Sequence, residues 1–299
     1  MTDYSEHLGV IAALSAGIIW GFLGLFVREA NELGIVPFQL TCLRYIMITV
    51  IIGAFILFKD RSLFRIDRRT ALILLVMGVI GTIVNSVTYL HSMTLIPLSL
   101  ASVLQYIAPF FVILLSIPIL NERLTRNKAI AVVGAFVGCI LCTGVLTDAG
   151  SMDLFGIALG AISGICFSVY TVGSKIVSGN GYSVATVLFY TSLICCVGLA
   201  PFSDLPDAFN IIGTSTDALL VVLGMGLLVT LLPFVLFNYS LTKIEAGKAS
   251  VMTYAEPLAA TIIGLLIYSE GVTIGSVIGM AMIFIALIVV NRKEDPVSG

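Results

Sequence analysis

The sequence predicts an all-α integral membrane protein of ten transmembrane helices, built as two five-helix repeats inserted in opposite orientations. Three observations carry this expectation. Hydrophobic residues make up 59% of the 299-residue chain and charged residues 11%, with a mean hydropathy of +1.13; soluble domains carry about 25% charged residues. The apolar residues gather into ten runs, and a helix needs about 20 such residues to cross a hydrocarbon core. The second half repeats the first 148 residues later, so that Ser102, Tyr106, Pro109, Glu122 and Thr125 fall on Ser250, Tyr254, Pro257, Glu270 and Thr273.

In the first repeat, 8–146, the runs fall at 8–28, 36–58, 71–92, 97–119 and 128–146. In the second, 154–291, they fall at 154–175, 183–201, 218–241, 246–268 and 273–291. Short polar connections separate them, with turn signals at Asn121-Glu122-Arg123, Asp148-Ala149-Gly150-Ser151 and Ser178-Gly179-Asn180-Gly181. Placing both termini in the cytoplasm puts 13 of the 15 basic residues on the inner side, leaving only Arg28 and Arg44. The long outer loop, 202–217, then holds three aspartates and no base, the bias expected of short loops. Five is odd, so the second repeat enters from the opposite side. In inverted repeats the site lies near the midplane between the halves, and rocking one half against the other opens it to each side in turn.

The net charge of −2 points to neither nucleic acid nor an acidic partner. The six cysteines lie inside apolar runs, where Cys139-x-x-Cys142 reads as small packing residues; no metal or redox site is expected. The start, MTDYSEHLGV, lacks the basic segment and cleavage site of a secretory signal, so the first span is expected to remain in the mature chain.

Three stretches carry a family resemblance: IIWGF at Ile18–Phe22, PLSLASVLQYIAPFFVILLSIPILNERLT at Pro97–Thr125, and EAGKASVMTYAEPLAATIIGLLIYSEGVT at Glu245–Thr273. With them the chain resembles, over nearly its whole length, the drug/metabolite transporter superfamily, and within it proteins with two EamA-type domains. The resemblance implies a ten-helix carrier whose central cavity is lined mainly by helices one, three, four, six, eight and nine. Many members of that group look like exporters of amino acids or related metabolites.

Glu256 is the sharpest position. It lies about 12 Å beyond the boundary residue Lys248, near the middle of a core about 30 Å thick, where a carboxylate is costly and functional by default. Its repeat counterpart is Ala108, so it breaks the internal symmetry. The competing reading has it satisfying backbone freed by Pro257. Arg44 sits at comparable depth in the second span and must find a carboxylate, carbonyls or water; coupling, substrate contact and a structural role all fit it, and the resemblance favours the last by making that helix peripheral. Trp20, Asn85, Gln105, Tyr106, Tyr170, Asn238 and Tyr254 complete the expected substrate-binding set, because aromatic faces and amides stack on a cargo and fix its polar end. Pro109 and Pro257 lack an N–H and are expected to loosen their helices as hinges. Glu122 and Glu270 are expected to cap the helix that follows each, with gating as the alternative. The glycine pairs Gly17/Gly21, Gly134/Gly138, Gly160/Gly164 and Gly275/Gly279 are expected to allow close helix contact.

The resulting expectation is a secondary active transporter in the cytoplasmic membrane. It moves a small metabolite, an amino acid or related amine, by alternating access and in the export direction, with no cofactor and with Glu256 either binding the ammonium group of the cargo or exchanging a proton. The alternatives are a carrier of quaternary or aromatic cations and a non-enzymatic channel or scaffold. An enzyme is disfavoured because the spans hold no nucleophile with a base nearby.

Overall fold

The computed structural model describes residues 2–145, 153–267 and 273–292, and the regular structure among them is entirely helical. The principal helices are α1 (Tyr4–Glu32), α2 (Pro37–Lys59), α3 (Arg68–Leu95), α4 (Leu100–Leu120), α5 (Arg126–Cys142), α6 (Leu154–Gly179), α7 (Val184–Phe202), α8 (Thr216–Lys243), α9 (Ala246–Ile267) and α10 (Ile274–Asn291). Among the described residues nine are long and apolar enough to cross a membrane; α5, with 17 residues, is shorter and lies along its repeat counterpart α10. Tyr268, Glu270, Lys293 and the turn Asp148–Ser151 lie outside the described residues.

Helix ends follow capping chemistry rather than the limits of the apolar runs. Asp67 accepts from the N–H groups of Arg69 (3.2 Å) and Thr70 (3.3 Å), so α3 begins three residues ahead of its expected start at 71. Thr125 caps α5 through the Lys128 N–H, and its repeat counterpart Thr273 caps α10 through the Ser276 N–H. Segment 202–217, expected as a loop, contains the helix Leu205–Thr214. Gln39 of α2 anchors it by donating to Asp207 (3.0 Å) and to the Asp204 carbonyl (3.3 Å), while Ala208 packs into an apolar cluster with Leu40 and Leu43. Its acidic residues disguised it as coil.

The two repeats interlock. α1 packs against α8 and α9, while α6 packs against α3 and α4, so the first helix of each repeat docks on the other repeat. Gly9 meets Lys243 and Ile244, and Gly156 meets their counterparts Leu95 and Ile96. α2 pairs with α7, and α5 with α10. At the α5–α10 seam a Cβ on Gly138 would lie 2.8 Å from the Gly279 carbonyl oxygen, an approach that only glycine permits.

Backbone irregularities recur in both halves. α3 is π-helical over Met77–Val84 and α8 over Met225–Leu231, and both stretches open on a Met-Gly pair, Met77-Gly78 and Met225-Gly226. Gly78 packs against Ile194 of α7 and Gly226 against Met47 of α2. Such wide turns inside α-helices concentrate at functional positions. α4 breaks at Tyr106–Ile107 and α9 at Thr253–Tyr254, in each case just before the mid-helix proline. Pro109 and Pro257 have no N–H to donate to the preceding turn, and the chain closes tighter bonds there, Ile107 N to Leu104 O (3.3 Å) and Glu256 N to Thr253 O (2.9 Å).

Candidate functional site

The two breaks meet between the repeats. Tyr106 and Tyr254 lie with ring centroids 5.9 Å apart, and the Tyr254 hydroxyl donates to the Tyr106 carbonyl oxygen at 2.7 Å. Symmetry would send the Tyr106 hydroxyl to the matching carbonyl of the second repeat. Instead it lies beside the Glu256 carboxylate. The exception comes from the sequence, because Ala108 in the first repeat offers nothing where Glu256 in the second offers a charged acceptor. Ten residues separate Glu256 from the start of α9, or about 15 Å of helix, which places it at the middle of a core about 30 Å thick. It is half-buried, and none of the ion pairs among the described residues includes it.

A second polar layer lies beside this centre. The Tyr89 hydroxyl of α3 pairs with the Ser102 hydroxyl of α4 at 3.1 Å, and Tyr89 stands within electrostatic reach of both Glu256 and Arg44. Asn85 donates to the Ser163 carbonyl of α6 at 2.7 Å, and the Ser163 hydroxyl reaches Gln105 at 3.5 Å. Asn85, Gln105, Tyr106 and Glu256 are all half-buried. These mid-helix side chains of α3, α4 and α9 thus keep accessible surface while standing beside one another.

Trp20, 7% exposed, is packed among Phe167, Phe234 and Phe237, with ring centroids 6.3, 5.5 and 5.6 Å away. It forms an apolar wall of α1, α6 and α8. Tyr170 and Asn238 are sealed: Asn238 donates to the Tyr170 hydroxyl at 2.8 Å and accepts from Ser174, and both are at most 1% exposed. They hold α6 to α8, apart from the Tyr106–Glu256 centre. Pro109 and Pro257 are buried one turn beyond the breaks. Phe167, Phe234 and Ser163 were not legible as lining residues, because an apolar or small residue inside a span carries no chemical signal. A groove of about 490 Å³ runs between α1, α9 and α10 past Leu14, Ile18, Met252 and Phe284, and none of these polar groups lines it.

Below the site, the end of the bundle that carries both chain termini is closed by charge. Glu122 does not cap the helix that follows it, since Thr125 does. Its carboxylate crosses to the other repeat and accepts from the N–H groups of Ala246 (2.6 Å) and Gly247 (3.1 Å) at the start of α9, where the unpaired N–H groups and helix dipole favour an anion. Asn121, in the left-handed region at φ 56°, turns the chain to permit this reach. Lys128, buried beneath, bonds Glu245 (2.6 Å) and the Arg123 carbonyl (2.9 Å) and lies 3.9 Å from Glu122. Lys175 donates to the carbonyls of Leu241 (2.6 Å) and Ile244 (2.7 Å) at the end of α8. Every charged group in this clamp has a partner.

A bundle of interlocked inverted repeats, with broken helices and a mid-membrane carboxylate where they meet, defines the class: a membrane transporter. The model of the EamA-like transporter family matches residues 7–144 and 154–292, and the chain belongs to that family. An uncharacterized inner membrane transporter of Salmonella typhimurium is 25% identical over 297 residues, covering 96% of each chain. An S-adenosylmethionine uptake transporter of Rickettsia felis is 24% identical over 266 residues, covering 85% of each. A protein of known crystal structure superposes with a TM-score of 0.78 over 95% of this chain and 96% of its own; at 18% identity that likeness shows the fold.

Proposed function

We propose that the protein is a secondary active transporter of a small metabolite bearing an amino group, an amino acid or related amine. It works across the cytoplasmic membrane by alternating access, with both termini cytoplasmic. The observation that carries this reading is the Glu256 carboxylate, at mid-membrane depth beside the breaks of both repeats and the Tyr106 hydroxyl, and paired with no cation among the described residues. An ammonium group docked there pairs the charge; a proton taken up there couples the cycle. The Tyr106 and Tyr254 rings supply faces for the cargo, and Pro109 and Pro257 give the two α4 and α9 backbones the slack to change angle between states.

Export is the direction the resemblance implies, whereas the Rickettsia relative is named for uptake; its named cargo carries an amino acid group and a permanent cation, both of which suit a carboxylate beside aromatic rings. Quaternary cations are therefore the second reading. A thermal-shift screen of detergent-purified protein against amino acids, amines and quaternary cations, repeated with Glu256→Gln, tests the assignment, because ligand binding to the folded state raises the melting temperature. A stabilising amino compound whose effect vanishes in the variant is the expected result. Undiminished stabilisation of the Gln variant would remove Glu256 from the site.

A further inference from the structure

Arg44 lies seven residues into α2 from Pro37, about 10 Å along the helix from the end opposite the termini. Its Nε is buried without a hydrogen-bond partner, and no hydrogen bond or ion pair joins its guanidinium to any described residue. The ring of its neighbour Tyr45 lies 5.3 Å from the guanidinium carbon. A guanidinium stays charged at any physiological pH and carries five donors in a planar fork, so inside a membrane it calls for a planar anion.

The helix geometry fixes where that fork points. One turn to either side, Leu40 and Ile48 are 2% and 1% exposed, so the face of α2 that carries Arg44 is turned toward protein. On one flank Met47 packs against Gly226 of α8. On the other, Tyr45 reaches Ser86 of α3. Arg44, between them, points into the gap between α3 and α8, where Tyr89 stands within electrostatic reach of it and of Glu256. Glu256 lies eleven residues from the same end of the bundle, about 16 Å along α9. The two charges are thus at staggered depths, with Tyr89 within electrostatic reach of both.

We infer that Arg44 is the anchor for a carboxylate of the cargo, so that the site takes a zwitterion by two points, ammonium at Glu256 and carboxylate at Arg44, and selects amino acids over the corresponding amines. This rests on the carrier reading above and narrows it. A permanently charged group with no protein partner, facing the space that holds an unpaired opposite charge, is completed by a ligand bearing both signs. The two charges do not complete one another directly, since neither forms an ion pair with any described residue.

The test is a binding titration of the purified full-length protein with the proteinogenic amino acids, their methyl esters and their decarboxylated amines, for the wild type, Arg44→Gln, Arg44→Lys and Glu256→Gln. The wild type is expected to bind at least one acid about tenfold or more tighter than its ester and amine, the discrimination expected of a lost charge-assisted pair. Arg44→Gln is expected to erase that preference while leaving ester and amine affinities in place, and Arg44→Lys to keep part of it. Glu256→Gln should weaken acid, ester and amine alike. Retention of ester binding shows that Arg44→Gln has folded; if it has not, the comparison is made on Arg44→Lys, where an unchanged acid-to-ester ratio overturns the assignment. A wild type that binds esters and amines as tightly as acids overturns the role of Arg44 and leaves the amine carrier standing. A wild type that binds none of the three sets overturns both.

Discussion

The closed end of the bundle and its centre use the same residue types to opposite effect. At the closed end, Glu122, Lys128 and Lys175 are each bonded to two partners, and the bonds of Glu122 to Ala246 and Gly247 and of Lys128 to Glu245 cross the repeat boundary. At the centre, Glu256 has one hydroxyl and Arg44 has no ion-pair partner among the described residues. Saturated charge holds a conformation, whereas unsaturated charge waits for a ligand. The repeat makes the contrast sharper still, because the counterparts of Lys128, Lys175 and Glu245 are Ser276, Val27 and Pro97. The clamp was added to one end of a duplicated frame, just as Glu256 was added to one side of its centre.

The largest stability effect is expected from Glu122→Ala. It strips two N–H groups of their acceptor and leaves Lys128 buried beside a half-exposed Glu245, at a cost of about 3 kcal/mol, read as a lower melting temperature in detergent. Lys128→Met should cost less, about 2 kcal/mol, because Glu122 keeps both N–H donors and Glu245 turns to water. Equal effects from the two variants would mean that the clamp is held by the ion pair alone. Tyr254→Phe frees the Tyr106 carbonyl and is expected to cost about 1 kcal/mol. Lys248→Ala removes only the pair with Glu6 at the surface and should cost about 0.5 kcal/mol or less.

A smaller, pH-dependent contribution belongs to the loop that precedes α3. The hydroxyls of Thr70 and Tyr182 hold the Asp67 carboxyl at about 2, below its ordinary 3.8. A depressed folded value means that the contribution is complete above pH 3.8 and lost as pH falls toward 2. Tyr182→Phe should therefore lower the melting temperature at pH 7, with the difference from the wild type shrinking as pH falls toward 2.

Much of this frame was legible in the chain because it rests on quantities a sequence carries directly. Apolar length located the helices, and exact repetition of Tyr106, Pro109 and Glu122 located the fold's symmetry. Glu256 stood out because a carboxylate at that depth needs a reason. The partner of Glu122 was not legible, since its reach to Ala246 and Gly247 depends on how the repeats dock, and the nearer helix already had Thr125 as its cap. Tyr170 and Asn238 looked no different in sequence from Tyr106 and Gln105. Only packing shows that the first pair is sealed within the α6–α8 seam while the second retains accessible surface. The π-helical stretches had a signal, the Met-Gly pair recurring 148 residues apart, but without a backbone it reads as ordinary span.

The most direct test of the contrast between holding charge and binding charge is counterflow in proteoliposomes, comparing wild type, Glu256→Gln and Glu122→Gln across pH 5 to 8, with the melting temperature of each measured in parallel. Saturable counterflow by the wild type, its abolition in Glu256→Gln with an undiminished melting temperature, and a stability loss in Glu122→Gln are the predicted results. Counterflow by Glu256→Gln at the wild-type rate and with the wild-type pH dependence would contradict the assignment of the centre.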